Sequence, residues 1–159
     1  MASESREIGT AQRMAWILGL VGAAPFVAHA LFSWVSPPSE VPGILRSQVH
    51  YAAVILTFVG ALHWGVILGA PDAHPDSRAF LALVWGVLPA GFAWIVSLYE
   101  PNISLALLGV ALGLALAVDV LLYRRSPVPP WFVVLRAVLT AVGCACVGLS
   151  WLASGARLG

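Results

Sequence analysis

Five stretches of the chain, Met14–Val35, Val49–Gly69, Ala79–Tyr99, Ile103–Tyr123 and Phe132–Ala153, run for 21 or 22 residues with almost no charge. At about 1.5 Å of rise per residue, each forms a helix roughly 30 Å long, the hydrocarbon thickness of a bilayer and more than most soluble core helices need. The expected fold class is therefore all-α, an integral membrane bundle of five transmembrane helices. The connections agree: SPPSEVPG (36–43), APDAHPDS (70–77), EPN (100–102) and SPVPP (126–130) concentrate turn-forming and helix-breaking residues. They leave no room for a second domain.

Composition supports a lipid solvent. Hydrophobic residues make up 60% of the chain and charged residues 9%, against roughly 25% charged in soluble domains. Tryptophan and tyrosine sit mostly at the ends of the apolar runs, where amphipathic rings meet the headgroup region. A net charge of +1 argues against nucleic acid or an acidic partner. Every basic residue is Arg; Arg6, Arg13, Arg78, Arg124 and Arg125 gather at one side, with Arg136 just inside it, while Arg46 and Arg157 lie at the other. Since positive charge stays cytoplasmic during insertion, the N-terminus is expected in the cytoplasm and the C-terminus in the periplasm. Arg13, a short apolar run and Ala28-His29-Ala30 share the outline of a cleaved signal, but Glu4, Glu7 and the continuation to Val35 favour a retained first span. Cys144 and Cys146 project about 200° apart on one helix and are not expected to bridge.

The costly residues at membrane depth are His29, His63, Asp119 and Arg136. Such groups usually face protein and find partners. Counted from the cytoplasmic ends of their spans, His63, Trp85, Asp119 and Arg136 share one depth, about 6–9 Å inside the boundary. They form a candidate polar layer. Asp119 and Arg136, on spans joined by a short loop, are the expected ion pair, read either as a structural pair or as a proton or cation site. His29 belongs to a second candidate site toward the other side. It lies four residues after Pro25, whose missing donor frees the Val21 carbonyl.

Span five repeats Arg136, Thr140, Gly143, Val147, Ser150 and Ser154 at helical spacing, a stripe suited to helix contact. Span two carries Ala53, Thr57, Ala61, Gly65 and Gly69, and the expectation is that Ala61, Gly65 and Gly69 form a close-packing ridge. His63 projects from the opposite face of that helix. Span two is thus expected to be central, with protein on two sides. No metal or other cofactor is expected. His29 and His63 differ in depth, His50 and His74 fall on opposite sides, and no tight ligand cluster is spaced along the chain.

Phe58-Val-Gly60-Ala-Leu-His63-Trp64-Gly65, followed by Trp85-Gly-Val-Leu-Pro89 and Trp94, resembles the uncharacterised bacterial and mitochondrial membrane family that includes transmembrane protein 69. The resemblance covers about Trp16 to Trp151. In the family pattern a second glycine stands where this chain has Ala61, and the basic residue at His63 need not be histidine. The resemblance implies a small polytopic inner-membrane protein and carries over no catalytic residue. The leading expectation is a non-enzymatic accessory, assembly or interaction subunit in the bacterial inner membrane, with the lipid bilayer and other membrane subunits or further copies of itself as partners. One alternative is a proton-coupled transporter using His63 and Asp119. Another is a protein binding a quinone or porphyrin between spans two and three, beside Trp64 and Trp85.

Overall fold

A computed structural model describes residues 2–69, 77–123 and 128–158, with side chains described over 9–69, 79–123 and 128–157. It is all-helical over these residues: α1 (Ala2–Val35), α2 (Val41–Leu68), α3 (Ser77–Val96), α4 (Pro101–Tyr123) and α5 (Pro130–Leu158). His74 and the side chains of Arg6, Arg78, Arg124 and Arg125 lie outside the described residues.

All five helices are long and apolar enough to cross a membrane. No more than 33% of any span is buried inside the bundle, so most side chains need an apolar solvent outside. Leu68, Leu98, Phe80 and Trp94 are 66–72% exposed. Helices suit that setting because they satisfy their own backbone donors and acceptors where no water is available. The chain is therefore a multi-pass membrane protein.

Helix boundaries differ from the apolar windows at polar but helix-compatible residues. α2 begins at Val41, eight residues before the window, because Pro42 lies in the first turn, where its missing donor costs little. Its Gln48 is fully buried despite its polarity. Ser104 closes the α3–α4 turn by donating to the Val96 carbonyl at 2.8 Å.

α2 is central and packs against all four other helices. Its inward face carries Leu45, Gln48, Ala52, Leu56, Val59, Gly60 and His63. The packing expected at Ala61, Gly65 and Gly69 lies elsewhere within the chain. All three are exposed, and a β-carbon added at Gly65 meets nothing within 4 Å. α3 instead crosses α2 at Gly60, where an added β-carbon would stand 2.7 Å from the Gly86 carbonyl oxygen. The Trp64 indole covers Gly86 and donates to the Leu83 carbonyl at 3.0 Å. The large indole, rather than the small-residue ridge, fixes how α2 turns toward α3.

Along α5 the stripe from Arg136 through Thr140, Gly143, Val147 and Ser150 to Ser154 is buried throughout. Phe26 of α1 lies over Gly143, and Val147 packs beside Gly109 of α4. The two cysteines are both free. Cys144 Sγ donates to the Gly109 carbonyl at 3.5 Å.

Candidate functional site

Antiparallel packing of α4 on α5, with α2 alongside α4, brings the residues of one depth into contact. Arg136 Nε donates to Asp119 Oδ2 at 3.0 Å, and Arg136 Nη1 donates to Thr140 Oγ1 one turn along α5. His63 Nε2 stands 3.5 Å from Asp119 Oδ1. Asp119 is 0% exposed, His63 2% and Arg136 6%. At that burial an isolated charge is expensive, and a paired one is tolerated only with good geometry. The guanidinium–carboxylate contact supplies such geometry.

Trp85 joins the same cluster. Its buried indole nitrogen faces Asp119 without reaching ordinary hydrogen-bond geometry. Three side chains from α2, α3 and α5 thus converge on one carboxylate of α4. Hydrogen-bonding capacity nevertheless exceeds the bonds made. Both nitrogens of His63, Trp85 Nε1, Asp119 Oδ1, Tyr123 Oη and Arg136 Nη2 are buried without a hydrogen-bond partner among the described residues.

Two members were missed in the sequence. Tyr123 stacks on the His63 ring, with centroids 5.2 Å apart and planes 15° from parallel. Its position one turn after Asp119 puts both on one helix face, and that spacing was the available signal. Thr140 was legible as part of the α5 stripe, but nothing in the spacing marked it as the acceptor for Arg136.

His29 lies apart, near the other end of the bundle. Its Nδ1 donates to the Pro25 carbonyl at 2.6 Å, and its Nε2 shares a hydrogen bond with the Ser47 hydroxyl at 2.9 Å. Tyr51 donates to the Gly22 carbonyl at 2.5 Å and packs edge-on against Phe26. The carbonyls engaged here belong to Gly22 and Pro25 rather than to Val21. The arrangement ties α1 to α2, and each polar side-chain atom in it has a partner.

No group of three or more His, Cys, Asp or Glu suited to a metal occurs among the described residues. The seam beside Trp64 and Trp85, the expected place of a ligand between spans two and three, is pinched where Gly60 meets Gly86. Space lies instead on the other side of α2, in a cavity of about 330 Å³ bounded mainly by α1, α2 and α5. Arg136 and Thr140 reach its wall; His63 does not line it.

No solved structure matches the chain. The chain is 36% identical to transmembrane protein 69 of Xenopus tropicalis over 132 residues, covering 83% of this chain and 51% of the relative. It is 30% identical to transmembrane protein 69 of Mus musculus over 123 residues, covering 77% and 49% respectively. The chain thus spans about half the length of these relatives. The family described as "Protein of unknown function (DUF3429)" matches residues 11–152, including every residue of both polar clusters. The chain therefore belongs to the DUF3429 family of membrane proteins that includes transmembrane protein 69.

Proposed function

We propose that the protein is a non-enzymatic subunit of a bacterial inner membrane, acting by assembly with other membrane proteins rather than by chemistry of its own. The observation that carries this reading is the burial of the candidate acid–base pair. His63 and Asp119 face each other at 2% exposure or less and neither lines the cavity that Arg136 and Thr140 reach, whereas a general base or nucleophile must reach a substrate atom. The arginine asymmetry in the sequence supports a cytoplasmic N-terminus and a periplasmic C-terminus. Purification in mild detergent after chemical crosslinking tests assembly. The expected result is a companion membrane protein at fixed stoichiometry; a monodisperse protein without companion across several detergents overturns the reading.

A small proton-coupled carrier is the second reading, favoured by one contact. His63 Nε2 stands 3.5 Å from Asp119 Oδ1, and neither ring nitrogen of His63 has a hydrogen-bond partner among the described residues. This reading expects a pH-gradient-driven flux in liposomes that His63→Ala abolishes. Flux unchanged by that substitution rules it out.

A further inference from the structure

We propose that the cavity between α1, α2 and α5 is a binding site for a lipid quinone: an uncharged ring with carbonyl acceptors on a flexible isoprenoid chain. This goes beyond the assembly role and does not depend on it.

The cavity's shape follows from how α1 sits. Its hydrogen bonds and ring contacts to α2 run from Gly22, Phe26 and His29 to Ser47 and Tyr51, all toward the C-terminal end of the bundle. Toward the N-terminal end α1 leans on α5, where Gly19 meets Leu135 and Leu139. α1 and α2 are left apart there. The space extends from Ala15 to Phe26 on α1 and from Phe132 to Gly143 on α5, about 16 Å at 1.5 Å per residue. Its volume of about 330 Å³ lies within the range of small-molecule sites, roughly 300–1,000 Å³. Leu18 and Phe58, both on the wall, are 63% and 60% exposed on the outside of the bundle. A molecule dissolved in the bilayer can enter between them.

The wall specifies the head. It is apolar and includes three aromatic rings, Phe26, Phe58 and Phe132, against which a flat ring can stack. Its polar side chains are Arg136 and Thr140. Thr140 Oγ1 accepts from Arg136, so its own hydrogen is available to donate, and Thr140 is only 5% exposed. Arg136 Nη2 is also without a partner among the described residues. The unfilled need is for an acceptor.

That acceptor should be neutral. Asp119 already balances the Arg136 charge at 3.0 Å, and a second anion would bring an uncompensated charge into a low-dielectric interior. This disfavours a fatty-acid carboxylate or a lipid phosphate. Depth disfavours a phospholipid ester as well. Thr140 lies ten residues into α5, about 15 Å along the helix, whereas ester carbonyls stay near the interface. A porphyrin would lack an axial ligand, since no histidine lines the cavity.

The test uses the full chain in lipid nanodiscs and a photoreactive azido-benzoquinone with a ten-carbon side chain. Saturable labelling is expected on the α1 or α5 segments that line the cavity, displaced by excess unlabelled decyl-benzoquinone. Gly22→Leu is expected to reduce displaceable labelling at least tenfold at unchanged melting temperature, because Gly22 is on the wall and an added β-carbon meets nothing within 4 Å. Should that variant melt early, Ala15→Leu at the other end of the wall provides the same block. Thr140→Val should weaken labelling severalfold. The proposal is overturned by labelling that unlabelled quinone does not displace, by equal displacement with a ten-carbon alkane, or by undiminished labelling in the folded blocking variant.

Discussion

The two ends of the bundle solve the same problem differently. Toward the N-terminal end, polar side chains turn to one another: Arg136 to Asp119 and Thr140, with His63 beside Asp119. Toward the C-terminal end they turn largely to the main chain. His29 and Tyr51 donate to the Pro25 and Gly22 carbonyls, and Trp34 donates to the Leu149 carbonyl at 3.1 Å. Arg157 donates to the Ser33 and Ser36 carbonyls at 2.9 and 2.7 Å. Main-chain acceptors at a helix end exist whatever the sequence, and a cation there also meets the negative end of the helix dipole. Bonds of that kind tie helices together, and the buried groups left without a partner toward that end, among the described residues, are the Gln48 amide and the Ser150 hydroxyl. A side-chain cluster depends on every member being present, so its loss is costly and its surplus donors and acceptors are available for other work.

The contrast predicts a graded set of losses in thermal or denaturant unfolding in detergent. Asp119→Ala is expected to be the most severe, about 3–5 kcal/mol, because it strands the buried Arg136 charge. The double variant Asp119→Leu with Arg136→Met should recover most of that stability, since similar apolar volume often replaces a buried pair without loss. If the double variant is no better than the single, the cluster supplies more than mutual neutralisation.

Gly60→Ala should cost about 1–3 kcal/mol through overpacking, since its β-carbon would stand 2.7 Å from a backbone oxygen of α3. Gly65→Ala, one turn later on the open face, should lose nothing and gain up to about 1 kcal/mol from helix propensity. Equal losses at both positions would mean that the exposed ridge is covered in the assembled protein. Arg157→Gln is expected to cost about 1 kcal/mol by removing a cation from the C-terminal end of α1. Tyr51→Phe should be the mildest of the destabilising changes, about 0.6 kcal/mol, the average for one hydrogen bond between membrane helices. A loss at Tyr51 as large as that at Asp119 would break the proposed distinction between the two ends.

Much of this was legible in the chain because hydrophobic length and depth are local properties. Helical rise placed His63, Trp85, Asp119 and Arg136 at one level, and they do meet. The α5 stripe was legible for the same reason. Azimuth was not. In a soluble helix the apolar face marks the inside, but here lipid is as apolar as the bundle interior, so hydropathy does not distinguish Gly60 from Gly65. Tyr123 was overlooked because a tyrosine at the end of a span reads as an interfacial ring.

The sequence by itself determined five membrane-length helices, their alternating passage and the level at which their polar residues lie, since 1.5 Å of rise per residue converts chain position into depth. Tertiary packing alone decided how far each helix is turned and which neighbours meet. The Trp64 indole over Gly86 sets α2 against α3, and the lean of α1 toward α5 opens the cavity beside Arg136 and Thr140. Those choices rest on steric fit between side chains distant in sequence, a quantity that no single span contains.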